Sequence, residues 1–455
     1  MELTFYGGVG EATGANYLLE QGTRDKEQGN SRIMIDCGLH QGSHYAEKEN
    51  FEPFPYDPKT VAAVFITHAH LDHIGRLPSL VKAGFTGKIY STSATKDFAE
   101  LMLLDSEHIL AKEAEREHKA PLYTTEDVHR VMALWHRLGY HQAVSIGEFS
   151  VEAFDAGHIL GSASYRVKAG GKSVVFSGDL GNFPALIIRP TEPVDAADYC
   201  VVESTYGDRM HEFVDRRREM LERAVEDTVK SGGTLMIPTF ALERTQEMLY
   251  HLHQLFEEGR IPRVPVFIDS PLAIKLTSIY KKYEGSFNAE TRAVAESGDD
   301  ILNFPGLRLT LTTEQSKEIN GAPSPKIIIA GSGMSNGGRI LHHEMRYLSD
   351  PKSAIIFVGY QAQGSLGRLI LDGAKEVRIL GEAVPVRCKV VNIPGYSAHA
   401  DQSRLMDWVG RMKGSLKKAF VVQGEEQSSS VLAAKIRDEL AIDAEMPKAG
   451  ESVEL

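Results

Sequence analysis

The sequence predicts a mixed α/β chain of two units, one inserted into the other, and three observations carry that expectation. Residues 1–207 are rich in short β-branched and aromatic runs closed by glycine turns. From Asp208 the chain changes to apolar strands alternating with amphipathic helices, the pattern of a parallel sheet. Residues 392–455 then return to a strand and a helix, and no low-complexity linker separates the parts. The expected organisation is therefore a first unit over 1–207, an inserted unit over 208–391, and completion of the first unit by 392–455.

Taken in order, ELTFYG, ANYLLEQ, SRIMIDC and VAAVFIT read as strands. Residues from about Thr95 to His118 carry Phe98, Leu101, Met102, Leu104, Ile109 and Leu110 among many charges and read as a long amphipathic helix, with its Phe, Leu and Met positions expected in the core. A second helix is expected from Thr125 to Leu138, capped by Thr124 or Thr125. Strands resume in FSVEAFDAG, in SASYRVKAGGKSVVFSGDLG and in DYCVVES, with Gly170-Gly171 marking a hairpin. In the inserted segment, HEFVDRRREMLERAVEDTVKSGG is a helix ended by glycine, and TLMIP, VPVFIDS, PKIIIAG and SAIIFVGY are buried-type strands. KKAFVVQG and SSSVLAAKIRDEL close the chain as strand and helix.

Composition excludes several classes. The 455 residues exceed one ordinary core, and 42% hydrophobic with 25% charged residues is a globular balance. Three scattered cysteines, Cys37, Cys200 and Cys388, form no disulfide framework and no C-x-x-C zinc knuckle. No secretory leader and no long apolar run is evident, so a cytoplasmic protein without membrane association is expected. The net charge of -12 argues against a simple basic nucleic-acid binder. That excess is uneven: residues 208–391 hold 24 basic and 24 acidic side chains, so the deficit lies wholly in the remainder.

The strongest chemical signal is Thr67-His68-Ala69-His70-Leu71-Asp72-His73, directly after a strand. Three imidazoles and a carboxylate on one loop can surround a single point, a donor set suited to zinc and related transition metals. Asp155-Ala156-Gly157-His158 and Ser177-Gly178-Asp179 each add one donor at a strand end. Together they supply six ligands, enough for two ions sharing a carboxylate.

HxHxDH, then GH, then SGD, in this order, resembles the metallo-β-lactamase fold, an αββα sandwich. Glu203 in VVESTYGDR and His399 in GYSAHAD match motifs A and B of its nucleic-acid-processing β-CASP branch. PTFALERTQE, IDSPLA, GSGMSNGGR and VGYQAQGSLG resemble bacterial and archaeal relatives of the cleavage-and-polyadenylation endonuclease. The resemblance covers nearly the whole chain and implies an inserted α/β β-CASP domain. It also implies a metal-dependent ribonuclease hydrolysing single-stranded RNA, with a metal-bound hydroxide as nucleophile. His68, His70 and His158 would hold one Zn2+, Asp72 and His73 the other, and Asp179 would bridge them. Asp36 would orient a ligand histidine, while Glu203 and His399 assist the leaving group.

One position departs from the family pattern: Gln423 stands where RNA-acting members carry the motif C histidine, and DNA-acting members typically carry valine. An amide is a poor zinc ligand, so the second site is expected to be weaker or friendlier to Mn2+. The loop of Gly331, Ser332 and Gly333 follows a strand as anion-binding loops do, with Arg339 and Arg244 as candidate phosphate partners. It lacks the G-K-[ST] of a nucleotide-hydrolysing loop. The alternatives are a DNA nuclease of the same fold, a small-molecule hydrolase, or a non-catalytic RNA-binding subunit if the metal sites are empty. A homodimer is compatible with all of these readings.

Overall fold

The computed structural model describes residues 1–22, 31–41, 48–211 and 216–455. Two compact units emerge: Met1–Ala185 with Arg189–Met210 and His399–Leu455, and Leu186–Ile188 with His211–Ala398.

The first unit is built on two seven-stranded sheets. One runs Glu451–Glu454, Glu2–Gly7, Asn16–Gln21, Ser31–Ile35, Ala63–Phe65, Lys88–Ser91 and Trp135–Arg137 from edge to edge. The other runs Asp443–Glu445, Lys418–Val422, Tyr199–Glu203, Lys172–Phe176, Ala163–Ala169, Phe149–Asp155 and Ala143–Ile146. The two-residue alternation of strand side chains decides how they pack. Val174, Phe176, Val201, Phe420 and Val422 join Phe5, Tyr17, Ile33, Ile35 and Phe65 of the first sheet in one core. Their neighbours Val175, Cys200, Val202, Ala419 and Val421 face the opposite way, onto Leu405, Trp408 and Val409 of helix Gln402–Arg411 and onto Leu432 and Ala433 of Glu426–Lys435. With helix Ser93–Glu117 packed on the first sheet at Trp135–Arg137, and those two helices on the second sheet, the shared core between the sheets completes the αββα sandwich.

The hairpin at Gly170-Gly171 joins Ala163–Ala169 to Lys172–Phe176, both glycines at positive φ. Two short terminal strands, not evident from the sequence, add one edge to each sheet.

Two expectations are corrected. The helix begun by the Thr124–Asp127 capping box ends at Ala133 rather than Leu138. Trp135–Arg137 is instead a strand parallel to Lys88–Ser91, held where the Trp135 indole donates to Ser91 Oγ at 2.8 Å. In the long helix, Ser93–Glu117, Phe98 and Leu103 are buried as expected, together with Ala99, whereas Leu101, Met102, Leu104 and Leu110 are only partly covered.

The second unit holds a six-stranded, fully parallel sheet in the order Leu307–Leu309, Val266–Ile268, Lys326–Ala330, Thr234–Pro238, Ala354–Phe357, Lys389–Asn392. Its central strands are apolar on both faces because helices cover both. The helix expected from His211 begins, among the described residues, at Arg217 and stops where Gly232 turns left-handed; residues 212–215 lie outside the described residues. Among the described residues no helix is long and apolar enough to cross a membrane.

Candidate active site

Every metal-type side chain singled out in the sequence lies in the first unit, at or just beyond the carboxyl end of a strand. Asp36 follows Ser31–Ile35, the histidine cluster follows Ala63–Phe65, and His158 follows Phe149–Asp155. Asp179 follows Lys172–Phe176, Glu203 ends Tyr199–Glu203, and Gln423 follows Lys418–Val422. Parallel pairing of the strands before Asp179, Glu203 and Gln423 brings those three ends together.

The backbone is bent to reach this geometry. Asp36 and Gln423 adopt φ of 60° and 48°, unusual for side chains other than glycine. Gly178 (φ 57°) sits so close to Thr67 that an added Cβ would lie 2.7 Å from that residue's Cβ. A glycine is therefore required beside Asp179.

Two groups of donors share one carboxylate. His68 Nε2 lies 3.0 Å from His70 Nδ1, and His158 Nε2 lies 3.3 Å from the same atom. Asp179 Oδ2 faces His68 and His158 at 3.4 and 3.5 Å. Its other oxygen, Oδ1, faces His73 Nε2 at 3.3 Å, and Asp72 Oδ2 is 3.6 Å from that nitrogen. Four and three donor atoms respectively converge closely enough to hold a cation.

The donor chemistry fits divalent transition ions. Burial, reinforced by neighbouring imidazoles, holds the pKa of His70 and His158 well below 6.5, so both present neutral nitrogens. Burial alone would raise Asp179, but His73 and His68 outweigh it and hold the carboxyl ionised. Around His73 burial is likewise overcome, by Asp179, Asp36 and Asp72, which raise its pKa. Such a concentration of carboxylates calls for a cation.

Asp36 is fully buried and fastens this loop. Its Oδ1 accepts the Thr67 N–H at 2.8 Å, and Oδ2 accepts the Thr67 hydroxyl and lies 2.7 Å from His73 Nδ1. Thr67, to which the sequence reading gave no role, also approaches His68 Nδ1 at 3.1 Å. Its place between the strand end and the first histidine was the only local signal.

Glu203 and His399 meet beside Asp179. His399 Nδ1 is 3.4 Å from both Glu203 oxygens and 3.8 Å from Asp179 Oδ2. Glu203 is held by the Leu180 N–H at 2.7 Å. Burial opposes protonation of His399, yet Glu203 and Asp179 raise its pKa to about 9. Gln423 is also brought in: its Nε2 lies 2.9 Å from His73 Nε2 and donates to Asp179 Oδ1 at 3.1 Å.

The phosphate candidates belong to the second unit. Ser332 accepts the Asn336 and Gly337 N–H groups with its hydroxyl, and its own N–H goes to Gly337 O. Gly331 O accepts from Ile340, and a Cβ at Gly333 would strike Phe240. Arg339 is engaged with Asp269 at 2.8 Å and with the carbonyls of Thr310 and Leu311. Arg244 is buried against Glu247, and burial draws its pKa down to about 10. Both guanidinium groups are thus tied into the framework of their own unit.

A further cluster, absent from the sequence reading because its members lie far apart, joins Glu11, His40 and Glu49; His40 Nδ1 is 2.7 Å from Glu11 Oε1.

An αββα sandwich with this histidine–aspartate centre at its strand ends is a metallohydrolase architecture. Residues 27–182 match the family model described as a metallo-β-lactamase superfamily domain, 245–370 the β-CASP domain, and 383–447 the Zn-dependent metallo-hydrolase RNA specificity domain. The chain belongs to the β-CASP family of metallo-β-lactamase-fold proteins. It is 40% identical to Ribonuclease TTHA0252 of Thermus thermophilus over 94% of each chain. It is 31% identical to an RNase J-like protein of Methanocaldococcus jannaschii over 92% of this chain and 93% of that one. It is also 32% identical to transcription termination factor FttA of Methanosarcina mazei, over 91% of this chain and 66% of the longer relative.

Proposed function

We propose that this chain is a metal-dependent ribonuclease hydrolysing phosphodiester bonds of single-stranded RNA. The observation that carries the proposal is Asp179, whose two oxygens face the two donor groups separately. The match of 383–447 to an RNA specificity domain and the ribonuclease name of the relative at 40% identity support RNA as substrate.

His68, His70, His158 and Asp179 would hold one Zn2+, and Asp72, His73 and Asp179 a second, with Gln423 making that second site weaker or suited to Mn2+. Divalent ions there would supply Lewis acidity toward the phosphate and lower the pKa of water. The chain's own residues do the rest. Asp36 fixes the ring of His73 through Nδ1, leaving Nε2 directed at the site. Glu203 engages Nδ1 of His399, which orients the ring and favours its protonated form, and the proton on the other ring nitrogen goes to the leaving ribose oxygen. Glu203 is fully buried beneath His399, whose ring is partly exposed at the edge of the site.

Elemental analysis and a cleavage assay on end-labelled single-stranded RNA test the reading together. Chelation should abolish cleavage and added zinc should restore it, with a matched DNA strand cut far more slowly. A chain carrying less than one transition-metal ion and inert with added metal would overturn it.

A further inference from the structure

One groove of the first unit begins where the site residues end. It has a volume of about 180 Å³ and is walled on one side by Leu180, Gly181, Asn182 and Phe183, the segment directly after Asp179. The other side is a single face of the helix after His399, carrying Arg404, Asp407, Trp408 and Arg411 at helical spacing. The two walls are tied at the site itself: Gly181 and His399 form a β-bridge, and the Ala400 N–H donates to Leu180 O at 2.7 Å.

The groove's rim has unusual chemistry for this chain. Phe183 is 48% exposed, a large apolar ring left in solvent. The Arg404 guanidinium lies 4.6 Å from its ring centroid, a cation–π pair. Among the described residues neither Arg404 nor Arg411 pairs with a carboxylate. Two guanidinium groups without a carboxylate partner among the described residues thus line this groove, in a protein whose net charge is -12. Trp408, at 5% exposure, backs the groove, and its Nε1 has no acceptor.

We infer that this groove is a nucleoside subsite, in which a base next to the scissile phosphate stacks on Phe183 while Arg404 and Arg411 take the adjoining backbone phosphates. This rests on the reading of the neighbouring site as a ribonuclease centre. The volume decides the size of the occupant: it is below the roughly 300 Å³ at which pockets begin to enclose a whole small ligand. One planar ring fits, with ribose and phosphate outside. An aromatic face joined to guanidinium groups is the sequence-tolerant way to hold a single strand, because every base has a π-face.

Steady-state kinetics on single-stranded RNA, run beside hydrolysis of bis(p-nitrophenyl) phosphate, test the inference. Phe183→Ala should raise KM for RNA about ten-fold or more. It should leave kcat within about two-fold, as expected for binding lost equally from ground and transition states, and leave the small diester unaffected; Phe183→Tyr should restore KM. Arg404→Ala should reduce the salt slope of binding by about one. An unchanged KM in Phe183→Ala, with wild type cleaving RNA normally, overturns the subsite alone. Equal losses on both substrates also overturn it, since they mark a structural role. A wild-type chain unable to cleave RNA overturns the ribonuclease reading, and the subsite with it.

Discussion

Gln423 donates its side-chain amide to Asp179 Oδ1 at 3.1 Å and lies 2.9 Å from His73 Nε2, between two of the three donors of the second group. An N–H pointed at the lone pairs of a ligand competes with a cation for them. The backbone of Gln423 is held in the left-handed region, where its N–H donates to Gly8 O at 2.7 Å, so the side chain is aimed into the site by the main chain. Gln423→His replaces an amide donor with an imidazole that has a free nitrogen. The expected result is about one more ion retained per chain after dialysis against limiting zinc, read by elemental analysis. Unchanged stoichiometry would show that Gln423 does not govern the second site.

Asp36 and Asp179 differ in what they touch, and the difference sets two magnitudes. Asp36 reaches the site only through Thr67 and His73. Asp36→Asn should therefore cost about 10–100-fold in metal affinity or activity, the usual loss for an outer partner. Asp179→Ala or His158→Ala removes a donor itself, and cleavage should fall by well over about a hundred-fold, beyond that outer-partner range. Circular dichroism should show all three variants folded. An Asp179→Ala chain that still cleaves RNA would place the centre elsewhere.

Much of this site was legible because its parts are local motifs: the loop from Thr67 to His73, Gly157-His158 and Gly178-Asp179 each pack their chemistry into a few residues. What was not legible depended on distant partners. Arg244 and Arg339 look available in sequence, and only the fold reveals Glu247 and Asp269 against them. Trp135 sits at the end of a helical pattern, but pairing with Lys88–Ser91 across more than forty residues of chain outweighs local propensity. Ile109 is exposed because it lies off the stripe of Phe98, Ala99, Leu103, Ser106 and Ala114 that the helix buries along its length.

Glu344 in the second unit yields a stability prediction. Its side chain is fully buried, Ser335 Oγ donates to Oε1 at 2.5 Å, and Oε2 has no partner. Burial, only partly offset by Ser335, raises its pKa from 4.5 to about 8. Below about pH 4.5 both folded and unfolded chains carry this proton. Between there and pH 8 only the folded chain keeps it, so stability falls as pH rises, by on the order of a few kcal/mol in all. Above pH 8 the contribution is constant. Glu344→Gln should raise the melting temperature at pH 8 and flatten its slope between pH 5 and 8. An unaltered slope would mean that this carboxyl ionises normally.

The Glu203–His399 pair can be tested separately from the metals. In the chelated chain, NMR titration of His399 should give a pKa of about 9. Glu203→Gln removes the largest charge raising it, so the value should fall, because burial is then opposed only by the remaining carboxylates of Asp179 and Asp72. If His399 supplies the leaving-group proton, His399→Ala should slow RNA cleavage by about 10²–10⁴-fold. A diester with a p-nitrophenolate leaving group needs no such proton, so its hydrolysis should fall by less than about ten-fold in the same variant. The ratio of the two losses isolates the role, since a merely misplaced metal centre would depress both substrates together. Equal losses would therefore reassign His399 from proton donor to support for Asp179, whose Oδ2 it faces at 3.8 Å.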